Sequence, residues 1–184
     1  MRLNRTNTLA AFWGLAEATV FIIVPDVLLS WIALRSRKRA LLACLWVTGG
    51  ALAGGCVLWF IGRHDPEPAR ALFVALPAIN DGMIESVRSQ LHTSGLKALF
   101  LGPLSGTPYK IYAIEAANIG HGLGVFLLIS LPARLIRFLL VSLLASGISK
   151  HLSRRLGMRH LQILHVLFWV AMYSWYFSVM PGTS

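Results

Sequence analysis

The chain has 184 residues, 56% hydrophobic and 13% charged, with a formal net charge of +10, whereas an average soluble domain carries about 25% charged residues. With a mean hydropathy of +0.66, this excludes a soluble domain of ordinary make-up and predicts one integral membrane domain over residues 1–184. The 17 Lys and Arg against 7 Asp and Glu fit nucleic acid, anionic lipid or the cytoplasmic loops of a membrane protein, and position along the chain separates these.

Ten of the 17 bases fall in three short segments without acids: Arg2 and Arg5; Arg35, Arg37, Lys38 and Arg39; Lys150, Arg154, Arg155 and Arg159. That bias predicts that all three segments, the N-terminus included, are cytoplasmic. The segments are short, flank apolar runs and lack interleaved aromatic residues, so nucleic acid is not expected as a partner.

The first run, residues 8–34, carries Glu17, Pro25 and Asp26 in its interior. It is too long and too acidic for a signal-peptide core, lacks a clear small-x-small cleavage site and is expected to stay in the mature chain. With basic segments on both flanks, it must enter and leave the membrane on one side. Pro25 supplies the turn of a re-entrant hairpin, tolerable only where buried in protein or lining a wet cavity.

Residues 40–62 form an uncharged run of spanning length. Gly50 and Gly54, widened by Gly49, Ala53 and Gly55, make a smooth face for another backbone, or room for the hairpin loop or a substrate. Cys44 and Cys56 lie about 18 Å apart along this helix and cannot pair with each other. Arg63–Pro68 reads as an exit loop, and residues 71–79, interrupted by Pro77, are too short to span. The segment from Arg63 to Lys97 balances four bases against four acids, which suits the opposite side. Within it, residues 80–94 predict an amphipathic surface helix capped by Asn80 or Asp81, with Met83, Ile84, Val87 and Leu91 on one face.

Residues 99–120 form a second broken stretch. Pro103, Gly106 and Pro108 interrupt it, and Lys110 and Glu115 follow the break, predicting a second hairpin that enters from the outer side. Residues 122–148 predict a span kinked at Pro132, with Arg134 and Arg137 on one face. A charge at that depth costs about 2.5–3.5 kcal/mol, so neither should face lipid. The last span, residues 160–180, carries Trp169, Tyr173, Trp175 and Tyr176, the later ones suited to an interfacial belt.

The order hairpin then span therefore occurs twice with opposite orientation. The expected fold is an all-α polytopic membrane protein: an inverted repeat of re-entrant hairpin plus span, with an amphipathic surface helix and a final span. Glu17, Asp26, Lys110, Glu115, Arg134 and Arg137 are expected to share one cavity, either as a substrate and proton site or as closed salt bridges tying the hairpins together. No nucleophile with an adjacent base, paired metal-binding acids or His-x-x-His pattern is present, so no catalytic residue, metal or cofactor is predicted.

Glu17 followed by Pro25-Asp26, the glycine-rich span closing with Gly62-Arg63, and Gly106-Thr107-Pro108-Tyr109-Lys110 before an Ala/Gly-rich segment and an arginine-bearing span together resemble one family. They are similar to the DedA-like or VTT-domain (SNARE-associated) membrane proteins, within them the small YqaA-like branch, over about residues 12–150. The resemblance implies paired re-entrant hairpins in a bacterial-type inner membrane and roles in envelope integrity. It also implies transbilayer movement of phospholipid or polyprenyl phosphate, in some members driven by the proton-motive force. By position it makes Glu17 and Asp26 the embedded acids and puts Lys110 where many members have arginine. Asp26 stands where glutamate is commoner, and Arg134 and Arg137 resemble the basic pair of the small branch. The expected function is a flippase-like or scramblase-like transporter, with lipid head groups and protons as partners and a homo-oligomer left open. The alternatives are a scaffold, a small-ion transporter and a lipid-head-group enzyme.

Overall fold

The structure is a computed structural model that describes residues 5–76, 79–102, 106–153 and 156–179. Its regular elements are helical: α1 (Arg5–Thr19), α2 (Asp26–Arg35), α3 (Arg37–His64), α4 (Glu67–Val74), α5 (Asp81–Ser94), a 3-10 turn (Gly95–Lys97), α6 (Ala98–Leu101), α7 (Tyr109–Asn118), α8 (Leu123–Leu152) and α9 (Met158–Val179). Among the described residues, α3 and α8 are the two helices long and apolar enough to cross a membrane. The helix α9, expected as a third span, is not one of these two.

The first run breaks earlier than its proline. After Thr19, whose hydroxyl bonds back to the Leu15 and Ala16 carbonyls, residues 20–24 leave the helix, and Trp13 Nε1 donates to the Ile23 carbonyl at 2.9 Å. Four of those five residues are β-branched, which weakens the helix. Pro25 opens α2 (φ −61°), where a missing N–H costs nothing. One extended residue, Ser36, then separates α2 from α3 and caps the latter, its Oγ accepting from the Arg39 amide.

The glycines of α3 fix the packing. A Cβ on Gly50 would strike the Ala11 backbone, one on Gly14 the Val47 backbone, and one on Gly54 would meet Ala18 and Leu15. Backbones therefore touch along α1 and α3, which run in the same direction. Farther along, Gly55 lies against the Tyr109 ring and Gly62 against the Ile114 backbone, so α7 continues the line of α1 on the same helix. Gly49 meets nothing within 4 Å and is exposed, as is Ala53; both lie off the packing face.

The other directions follow from cross-contacts. Asp26 meets Arg137 and the Leu34 carbonyl accepts from Ser149 Oγ at 2.7 Å, so α2 and α8 are parallel. Cys44 Sγ reaches Ser142 while Trp59 Nε1 donates to the His121 carbonyl, so α8 runs against α3. Hence α1 and α2 are antiparallel. Gln90 meets Tyr112 and Arg88 meets Glu115, so α5 runs against α7.

Two expected elements differ in use. The segment expected as an exit loop is split: α3 runs on through His64, and α4 begins at Glu67. The apolar face of α5 (Ile84, Val87, Leu91) is buried in the core around α7, so this amphipathic helix spends its face on protein. Asn80 caps it as expected, Oδ1 accepting from the Met83 amide at 2.9 Å. In α7 every residue from Tyr109 to Ala117 is buried, as for a helix enclosed on all sides. Pro132 lies inside α8 without ending it.

Candidate functional site

The C-terminal end of α1 and the N-terminal end of α7 face each other on α3, level with Gly54 and Gly55. By helical rise this is about 26 Å from one end of α3 and about 14 Å from the other. Around the junction lies a cavity of about 290 Å³ lined by Glu17, Phe21, Val24, Asp26, residues 106–110, Arg137, and Trp169, Met172, Tyr173 and Tyr176 of α9.

Two ion pairs flank it. Arg134, 1% exposed, donates through Nη2 to Glu17 Oε2. Its guanidinium carbon lies 4.5 Å from the Tyr109 ring centroid and 5.1 Å from that of Phe138. This aromatic bracket offsets part of the desolvation. Arg137 spends both its Nη2 and its Nε on one oxygen, Asp26 Oδ2, at 2.6 and 3.2 Å. Asp26 Oδ1 and Arg134 Nε are buried without a hydrogen-bond partner, an arrangement that leaves hydrogen-bonding capacity unspent on both sides of the charge pairs.

Lys110 differs from both arginines. It is 2% exposed and its Nζ donates to the Phe21 carbonyl at 3.0 Å, with the Phe73 ring centroid 6.0 Å away. Among the described residues no carboxylate lies within 4 Å of it. The junction thus gathers three cations and two carboxylates, and its uncompensated charge sits on a lysine lining the cavity.

Glu115 is not part of this group. It accepts from Arg70 Nε and Nη2 at 2.7 and 2.8 Å, a bidentate pair, and from Arg88 Nε at 3.4 Å. Arg70 also holds Glu67 at 2.5 Å, and Arg88 holds Glu85 at 3.0 Å. Hydrogen bonding to Glu115 holds the Arg70 pKa above its ordinary value. The reason for the split is helical geometry: the step of five residues from Lys110 to Glu115 turns roughly 140° around the axis, whereas the step of three from Arg134 to Arg137 returns to nearly the same face. The expectation of one six-charge cavity is corrected to a five-charge junction plus a separate clamp of α4 and α5 onto α7.

Of the expected turn residues, Pro25 opens α2, Gly106 (φ 82°) and Pro108 line the second break, and Pro103 lies outside the described residues. Sequence reasoning missed Arg70 and Arg88 as partners of Glu115, having counted both only within the neutral Arg63–Lys97 segment, and it missed the aromatic wall of α9. Trp169, Tyr173 and Tyr176 recur at i, i+4 and i+7, so their shared face was readable. Tyr173 also accepts from the Val24 amide at 2.9 Å, fastening α9 to the first break. Among the described residues, no cluster of three or more His, Cys, Asp or Glu side chains could hold a metal. The chain matches no family profile, no curated protein and no solved structure.

Proposed function

We propose that this chain is a membrane transporter of the DedA/VTT type, YqaA-like, that carries the phosphate-bearing head group of a phospholipid or polyprenyl phosphate across an inner membrane. The observation that carries this reading is Lys110, a buried cation on a cavity wall with no carboxylate partner. A buried charge without a counter-ion is costly, and an anionic phosphate entering the cavity offsets that cost.

The antiparallel pair α1 and α2, and the second break before α7, are then read as re-entrant hairpins of an inverted repeat. The packing supports this: α2 of the first unit lies along α8 of the second, and α7 of the second lies along α3 of the first. Their breaks meet within the length of α3, the arrangement that places transporter sites near a bilayer midplane. A phosphate bound at Lys110 competes with Asp26 for the bidentate guanidinium of Arg137. Protonation of the displaced carboxylate would couple the step to protons, and rocking of one unit against the other would move the head group while acyl chains stay in lipid. In this reading the protein is not an enzyme, since no bond in the lipid is broken.

The test is movement of labelled phosphatidylglycerol in liposomes holding the purified chain. Lys110→Ala is expected to slow it about tenfold or more, the weight of one charge-assisted hydrogen bond, while Arg63→Gln, exposed at the end of α3, keeps the parent rate. Equal rates for Lys110→Ala and parent would sink the proposal.

The closed Glu17–Arg134 pair favours a second reading, a scaffold in which the charges only fasten the two units. In that case the liposomes show no movement above protein-free controls, and Lys110→Ala protein still supports envelope integrity in cells.

A further inference from the structure

A second polar concavity lies at the other end of α2 and α8, away from the cavity. Arg35 closes α2, Arg37 opens α3 and Lys150 sits in the last turn of α8, and together they rim a groove of about 570 Å³. Ser36, Ser146 and Ser153 add hydroxyls. No Asp or Glu occurs between residues 27 and 64 or after 115, so none of the helices that build the groove can neutralise it locally. Among the described residues, none of the three bases has an ion-pair partner.

The bases at the helix C-termini are ordinary, because Arg35 and Lys150 complement the negative ends of α2 and α8. The start of α3 is not. Its first turn carries Arg37, Lys38 and Arg39 and no acid, placing cations on the positive end of a 28-residue helix, where anions are favoured. A loop bias toward basic residues accounts for charge on this side of the protein. It does not account for Arg37, at the start of that helix, converging with Arg35 and Lys150 from two other helix ends on one groove.

We infer that the groove is a phosphate-binding site, distinct from the cavity, that holds an anionic phosphate such as a lipid head group at the end of the helix bundle. Arg35, Arg37 and Lys150 supply the charge, and the Ser36 hydroxyl, which accepts from the Arg39 amide, has its O–H to donate. The apolar groove wall of Leu143 suits the first carbons of an acyl chain. The site is about 20 Å from the cavity, the rise of the thirteen residues from Arg137 to Lys150. It therefore stands whether or not the cavity transports anything.

The test uses the full chain in neutral detergent, with thermal unfolding followed on adding phosphatidylglycerol, phosphatidylcholine or inorganic phosphate. Phosphatidylglycerol is expected to raise the parent midpoint. The rise is expected to vanish in the Arg35→Gln/Arg37→Gln/Lys150→Gln protein and to persist in Arg63→Gln. A rise that survives in the triple variant, or an equal rise with phosphatidylcholine, overturns the site. If inorganic phosphate gives the same base-dependent rise, a free anion suffices. If it gives none, the lipid is required, and either result upholds the site. Should the triple variant misfold, Arg37→Gln alone decides: about fivefold weaker retention of phosphatidylglycerol in native mass spectrometry is expected per base lost, and unchanged retention overturns the proposal.

Discussion

Lys110 Nζ donates to the Phe21 carbonyl across 3.0 Å, and with that one bond the second broken segment is fastened to the first. The donor sits in the opening turn of α7 and the acceptor in the loop after α1, so the bond spans the junction where the two helices meet end to end. A lysine held by a carbonyl rather than a carboxylate makes no ion pair of its own. It can turn toward an anion without breaking an ion pair.

That geometry separates charge from shape at position 110. Lys110→Met keeps the apolar stem and loses the charge, and anion-dependent function in the liposome assay is expected to fall by about tenfold or more. Lys110→Arg keeps the charge and is expected to retain most of the rate. Equal loss in both variants would show that the site needs the lysine's shape and not its charge.

The glycine face gives a sharper stability contrast. Gly50→Ala drives a methyl into the Ala11 backbone, a clash that no rotamer change relieves, and is expected to cost about 1–3 kcal/mol. Gly49→Ala, with nothing within 4 Å, is expected to stay within about 0.5 kcal/mol of the parent. Thermal unfolding of the two proteins in the same detergent checks both. Equal midpoints would contradict the packing of α1 on α3.

The Glu115 clamp predicts a local effect. Glu115→Gln leaves Arg70 and Arg88 facing a neutral amide. It is expected to cost about 1.5–3 kcal/mol, the weight of hydrogen bonds to a charged group. The loss should appear as faster amide hydrogen exchange in α4 and α5, with α1 and the first half of α3 unchanged. Uniformly faster exchange would mean that Glu115 supports the whole bundle and not only its clamp.

Much of the fold was legible because its signals were local. Asn80 marks the start of α5, the glycines mark the face of α3, and the misplaced charges at Glu17, Asp26, Arg134 and Arg137 marked what had to be brought together. What escaped were relations set by rotation about an axis and by distant pairing. Lys110 and Glu115 are neighbours in sequence yet point to different sides of α7. The partner of Glu115 is Arg70, which charge counting had matched with Glu67 and its neighbours in the same segment. Pro25 was correctly located at the first break but plays the other role, opening α2 while the β-branched residues before it end α1. The turn had two sufficient causes, and the sequence displayed the more conspicuous one.

The buried pair of Glu17 and Arg134 separates a fastening role from a working one. Removing one partner strands the other in an apolar surround, so Glu17→Leu alone or Arg134→Met alone is expected to destabilise the protein by about 3–5 kcal/mol. Removing both leaves no stranded charge. The Glu17→Leu/Arg134→Met protein is therefore expected to recover most of that loss, as buried ion pairs often do when replaced by apolar groups of similar size. A double-mutant cycle on the unfolding midpoint measures the coupling. If the pair only fastens α1 to α8, the double variant regains every activity the parent has along with its stability. If Glu17 and Arg134 take part in charge movement through the junction, stability returns and lipid movement does not. A double variant whose loss equals the sum of the two single losses would mean that the two side chains are not coupled, and the ion pair would then carry neither role.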